Sequence, residues 1–285
     1  MKIISKLFFN LCSISFIRPI FDKWEYVRNR NHYGDIKQEI SEGWSFVIVT
    51  DGKDQERLEK VIQSIKKEFE LQDNYEILFV GKLVNTLLTS DKIKIVDYYS
   101  FPYLPGRITS KKNIGVRLAK YNNVVVMHDY VRLCKGWYEQ MKQFCEDYDV
   151  CLNQVLLKNG YRSRDWVVMK YPNIGPGLIP YHIAASKFIY INGTFFIVKK
   201  DFFMKNQFDE HLRWGEGEDI SWSESIIKKG ARIKINKDAI VQFIKDKAPN
   251  DAPYCQNWIE NTIKLYSLYG ITISKDKFKE DVKEQ

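Results

Sequence analysis

The stretch "WGEGEDISWSESIIKKG", residues 214–230, gathers the most suggestive chemistry in this 285-residue chain: Glu216, Glu218 and Asp219 interleave with Gly215 and Gly217 ahead of a helical pattern. Carboxylates in a first helical turn favour the helix dipole and cap its free N–H groups. Held firmly beside an open segment, one of them can instead take a proton from a bound hydroxyl. Two other polar sets sit at comparable places. His128, Asp129 and Tyr130 follow the apolar run "VVVM", and Lys111, Lys112 and Asn113 open the pattern "SKKNIGVRLAKY". Lysines at a helix N-terminus oppose the dipole at a cost of about a few tenths of a kcal/mol, which a nearby anion would relieve.

Alternating elements must position these residues. "WSFVIVT" (44–50), "YEILFVG" (75–81), "KIKIVDYY" (92–99) and "NNVVVMHDY" (122–130) read as strands. "DQERLEKVIQSIKKEF" (54–69), with Leu58, Val61, Ile62 and Ile65 at helical spacing, and residues 110–121 read as helices between them. Strands alternating with helices predict an α/β fold, a mostly parallel sheet covered on both faces. Such sheets bind ligands beyond the carboxyl ends of their strands, which singles out Thr50, Asp51, Gly81, Asp97 and residues 128–130. Residues 150–192 are less regular, and "YPNIGPGLIPYH" (171–182) reads as part of a long loop region. Order returns with "GTFFIVKKDFF" (193–203), a helix from about Glu218, strands at 231–235 and 239–244, and a last helix near 253–268.

The bulk composition narrows the function classes. Apolar residues at 45% and charged residues at 28% describe a globular chain, and a net charge of +8 suits anionic ligands. The lysines are scattered rather than striped, so nucleic acid is not an expected partner. Cys12, Cys134, Cys145, Cys151 and Cys255 form no CxxC pair, which argues against a disulfide framework or zinc site and favours a reducing, cytoplasmic compartment. His182 and His211 lack partners at metal spacing. The N-terminal "MKIISKLFFNLCSISFIRPIFDKW" is apolar but interrupted by Lys6, Asn10, Arg18 and Pro19, too short a run to span a bilayer. It reads as a segment for peripheral membrane or partner contact, at the inner face of the membrane if at one. The expected organisation is an extension over 1–40, a domain over 41–270 divided near residue 135, and a solvated tail over 271–285.

In order along the chain, "SFVIVT", "SKKNIGVRLAKYNNVVVMHDYVRLCKGW" and "NGTFFIVKKDFFMKNQFDEHLRWGEGEDISWSESIIKKG" resemble the segments of GT-A fold glycosyltransferases of the inverting family 2 type. The likeness runs from about residue 44 to 244. It implies transfer of a sugar from a nucleoside-diphosphate donor, UDP-sugar favoured, to a hydroxyl of a glycan or lipid-linked acceptor, in surface polysaccharide or glycoconjugate synthesis. It places Asp219 as the general base with Glu218 beside it. Thr50, Asp51, Lys111, Lys112, Asn113, His128, Asp129 and Tyr130 fall at the donor, and Trp214 and Gly193 at the acceptor. A divalent metal, Mn²⁺ or Mg²⁺, would sit at Asp129. The chain departs from the family's Asp-x-Asp pattern, keeping one carboxylate where two are usual, and Gln242 stands where a metal-binding His is often found. Those departures fit a second reading, a non-catalytic nucleotide-sugar or glycan-binding module.

Overall fold

The structure, a computed structural model, describes residues 18–33, 40–82, 90–98, 106–144, 147–246 and 256–273. Its frame is an eight-stranded sheet. β1 (Ser41–Val49), β2 (Tyr75–Val80), β3 (Ile93–Val96) and β4 (Tyr121–His128) run parallel to one another, with β1 between β2 and β4. Beyond β4 the sheet continues through β10 (Phe195–Lys199), antiparallel to both of its neighbours, then β6 (Val150–Leu156), β11 (Ile233–Phe243) and β5 (Val131–Leu133).

Period-two alternation decides which helix covers which face. Phe46 and Ile48 pack with Leu58, Val61, Ile62 and Ile65 of α2 (Gln55–Glu68) and with Trp137 and Met141 of α4 (Trp137–Gln143). Val47 points the other way, toward Ile114 and Val116 of α3 (Ile108–Leu118), and that face also holds Phe203 of α5 (Lys200–Lys205) and Trp222 and Ile226 of α6 (Glu218–Lys228). The α/β expectation, helices on both faces of a mostly parallel sheet, is observed. Asp54 starts α2 by accepting from the Arg57 N–H at 3.0 Å.

Residues 150–192 are more ordered than their sequence suggests. β6 enters the sheet itself, and β7 (Val167–Tyr171), β8 (Gly175–Leu178) and β9 (Ile189–Tyr190) form a separate three-stranded sheet in the order β8-β7-β9, packed against α7 (Gln256–Leu268). Asn153 and Gln154 interrupt the apolar run of β6, yet both are buried, and Trp137 Nε1 donates to Asn153 Oδ1 at 2.8 Å. A fully buried ion pair, Arg162 to Asp165 at 2.8 Å, anchors the next segment, and the Tyr181 hydroxyl donates to Asp165 at 2.7 Å. The two strands expected at 231–235 and 239–244 are the single strand β11, irregular between Asn236 and Ile240.

At the other end of the described chain, α1 (Arg18–Tyr33) docks on the domain. Glu25 is fully buried; Arg213 Nη2 donates to its Oε2 at 3.0 Å, and Arg107 Nε lies 3.8 Å from Oε1. The apolar residues 1–17 and the tail 274–285 lie outside the described residues, as do Cys12, Cys145 and Cys255; Cys134 and Cys151 are not disulfide-bonded. No described helix is long and apolar enough to cross a membrane.

Candidate active site

β1 and β4 end level with each other, Val49 opposite His128, so Thr50 and Asp129 emerge side by side. A cavity of about 300 Å³ opens there. The Thr50 hydroxyl donates to Asp129 Oδ2 at 2.7 Å, and Arg57 Nη2 reaches the same oxygen at 3.2 Å. Lys111 Nζ donates to the Thr50 carbonyl at 3.1 Å. Burial pulls the Lys111 pKa down, against the charges of Asp51, Glu25 and Asp129. Burial alone would raise the Asp51 carboxyl, but its hydrogen bonds with Lys53 and the charges of Lys53 and Arg57 bring it below the ordinary value. Lys245, just past β11, closes the cavity with its Nζ 3.9 Å from the Tyr130 ring centre. Arg57, Lys111 and Lys245 thus line one concavity where a parallel sheet receives ligands.

A second cavity, of about 670 Å³, adjoins the first. His128, Tyr130, Trp214 and Lys245 line both. Its far wall is the first turn of α6, where the three carboxylates of residues 216–219 take different places. Glu216 holds the loop, accepting from the Arg213 N–H at 2.8 Å and from Arg18 at 2.6 Å. Glu218 is buried, and burial raises its pKa, with the neighbouring charge of Asp219 adding to the rise and backbone N–H groups and Lys112 opposing it. Asp219 faces the cavity. Its Oδ2 accepts from the Tyr190 hydroxyl and from the Gly193 N–H at 3.3 Å, and its Oδ1 from the Ile220 N–H at 3.0 Å. An ionised carboxylate has about four lone-pair positions, so one acceptor position is left. The helix is led by Gly217 in the left-handed region, φ 79°, preceded by Gly215 at φ 82°; only glycine takes that backbone without strain.

Thr50, Asp51, Lys111, His128, Asp129 and Tyr130 therefore gather in the first cavity. Gly193, Glu218 and Asp219 gather in the second, and Trp214, 63% exposed, belongs to both. Lys112 lies with Asp219 rather than with Lys111. Asn113 lines neither cavity: its amide donates to the Phe208 carbonyl and to Glu210 Oε1, each at 2.9 Å, and its Oδ1 accepts from the Phe208 N–H at 3.0 Å. Arg57, Arg164, Tyr190 and Lys245 were not legible as site residues. Lys245 had a weak signal, a cation just beyond an apolar strand; Tyr190 had none.

Gln242 is turned away from Asp129, donating to the Leu157 carbonyl at 3.2 Å in a separate pocket. No group of three or more His, Cys, Asp or Glu is gathered among the described residues as a metal centre would require. Asp129 is already paired with Arg57 and Asp51, in the same cavity, with Lys53, and both carboxylates stand among Arg57, Lys111 and Lys245. This donor set does not fit a protein-held divalent ion.

No family model matches the chain, and no curated protein matches its sequence. Among solved structures the chain is similar to GalNAc-T7, crystallised with UDP, GalNAc and Mn²⁺, at 15% identity and a TM-score of 0.53, over 79% of this chain and 47% of that one. It spans about half the length of that protein. The catalytic domain of Drosophila β1,4-galactosyltransferase 7, crystallised with xylobiose, aligns at 11% identity and a TM-score of 0.44, over 76% of this chain and 77% of that one. The mixed sheet, its helix-covered faces and the likeness to GalNAc-T7 give this chain the GT-A type of α/β fold.

Proposed function

We propose that the chain is an inverting glycosyltransferase of the family 2 type, moving a sugar from a nucleoside-diphosphate donor, UDP-sugar favoured, to a hydroxyl of a glycan or lipid-linked acceptor. One observation carries the proposal. A cavity lined by cations and a cavity walled by a carboxylate share His128, Tyr130, Trp214 and Lys245. An inverting displacement needs that arrangement, with charge stabilisation at the leaving group and a base on the opposite side at the attacking hydroxyl.

In this reading the diphosphate lies in the first cavity. Arg57, Lys111 and Lys245 offset the charge that grows as the sugar–phosphate bond breaks, and Asp129 with Thr50 meets the ribose. Trp214, exposed between the cavities, offers a ring face to the apolar side of a sugar. Asp219 takes the proton of the acceptor hydroxyl through its remaining acceptor position. Tyr190 and Gly193 hold the carboxylate still while it does so.

The test is thermal shift with a panel of nucleoside diphosphates, followed by turnover of the matching donor sugars with glycan and lipid-linked acceptors. Stabilisation by a nucleotide and transfer with inverted anomeric configuration are expected, and Asp129→Ala should weaken the nucleotide response. Nucleotide binding without transfer to any acceptor would make the chain a binding module instead.

A further inference from the structure

Lys112 is 1% exposed, on a helix buried against the sheet, yet it lines the second cavity. Its Nζ lies 4.9 Å from the centre of the Phe208 ring and 5.9 Å from that of Phe196, and among the described residues no acceptor stands within hydrogen-bond distance of it. The ring faces and the charges of Asp219 and Glu218 offset part of the cost of burying this ammonium, and it borders the open cavity, where a bound oxygen can accept from it. Gly193 borders the space between this ammonium and the Asp219 carboxylate. A Cβ built on Gly193 would fall 2.6 Å from Lys112 Nζ and 3.4 Å from Asp219 Oδ2. The ammonium and the carboxylate are therefore no farther apart than the sum of those distances, yet they form no direct ion pair. An oxygen at ordinary hydrogen-bond distance from each can lie between them.

We propose that Lys112 is a second catalytic residue of the transfer, donating to the acceptor oxygen across from Asp219 in the space that Gly193 leaves open. This rests on the glycosyltransferase reading above. In the step, the acceptor O–H bond breaks and its proton passes to Asp219. The oxygen forms its bond to the anomeric carbon while the bond from that carbon to the phosphate oxygen breaks, and the electron pair leaves with the diphosphate. Lys112 keeps its proton throughout and stabilises the negative charge that builds on the attacking oxygen as the proton departs. The titratable and charged groups around the same cavity are Asp219 and Glu218 of α6, Tyr190 of β9, His128 of β4, Arg164, and Lys245 and Asp246 past β11. Burial holds the Lys112 pKa down to about 8, with Asp219 and Glu218 pushing the other way. Below that value the lysine is charged and competent; as pH rises through it the charge, and turnover, are lost.

The experiment is the pH profile of turnover for wild type, Lys112→Met and Lys112→Arg, with nucleoside-diphosphate affinity measured alongside as the reporter of folding. Lys112→Met removes the charge with little change of shape. It is expected to lower kcat about 100-fold at pH 7, within the usual range for a single positioned donor, and to leave nucleotide affinity within about twofold. Lys112→Arg is expected to retain more turnover than Lys112→Met and to lose the alkaline fall near pH 8, because a guanidinium stays charged there. Near-normal kcat in Lys112→Met across the pH range would overturn the proposal. So would a lower kcat in Lys112→Met with an unchanged alkaline fall. Absence of any transfer by the wild type would instead sink the underlying glycosyltransferase reading. An inactive Asp219→Asn beside a fully active Lys112→Met would sink this inference alone.

Discussion

Asp129 gains its meaning from its neighbours. Its Oδ2 is shared by Thr50 and Arg57, and Lys111 and Lys245 stand in the same cavity, so under the proposed function the anionic part of the donor would meet protein cations directly. Arg57→Ala and Lys245→Met are each expected to weaken nucleoside-diphosphate affinity roughly tenfold or more, since a hydrogen bond to a charged group is worth about 1.5–3 kcal/mol. Calorimetric titration checks this, and adding a chelator to the same titration should leave the wild-type affinity unchanged. A chelator-dependent loss would return the charge role to a metal at Asp129. Gly193→Ala is a second residue-scale test. Its methyl would sit 2.6 Å from Lys112 Nζ and 3.3 Å from Asp219 Cβ, so turnover should fall while nucleotide affinity holds. Thr50 and Asp129 could be picked from the sequence because the end of a strand in a parallel sheet is a place with a known use. The separation of Lys111 from Lys112 could not. Successive helical residues point about 100° apart, and which direction meets which cavity depends on how α3 is rotated against the sheet. Tyr190 and Arg57 reach their carboxylates through tertiary contacts that no local pattern records.

At the scale of elements, the loop over residues 213–217 and the first turn of α6 decide where Asp219 stands, and α1 helps to hold that loop. Glu25 is buried between Arg107 and Arg213, and Arg18 pairs with Glu216 at 2.6 Å. Removing one member of a buried ionic cluster leaves uncompensated charge and typically costs about 3–5 kcal/mol. Glu25→Ala should therefore lower Tm clearly, at roughly 2–4 °C for each kcal/mol in a chain of this size. A Tm within about 2 °C of wild type would show that α1 does not brace the domain. The sequence registered the alternation of β1, β2 and β4 with α2 and α3 because each is a strong periodic run. It hid β6 because Asn153 and Gln154 break the apolar run although both are buried, and the Trp137 indole that donates to Asn153 comes from another element. The contribution of α1 was equally hidden, since a lone glutamate on a polar helix gives no sign of the two arginines that bury it.

The whole molecule places two cavities along one edge of the sheet, one cationic and one walled by a carboxylate, in a chain of net charge +8. Attraction between that field and a diphosphate is screened by salt, with a Debye length of about 8 Å at physiological ionic strength. Nucleotide affinity should accordingly fall as salt rises, and a titration series in sodium chloride checks it; affinity indifferent to salt would argue against the cationic cavity as the diphosphate site. One substitution isolates the proposed role of Asp219 in taking the acceptor's proton. Asn keeps the size of Asp219 and can still accept from Tyr190 and Gly193, but it cannot take a proton. The direct measurement is turnover by Asp219→Asn beside wild type, with donor affinity and Tm recorded on the same samples. A loss of at least about 100-fold is expected, the low end of general-base contributions, with affinity and Tm nearly unchanged. Near-normal turnover in that variant would contradict that role and leave Asp219 a structural carboxylate at the start of a helix.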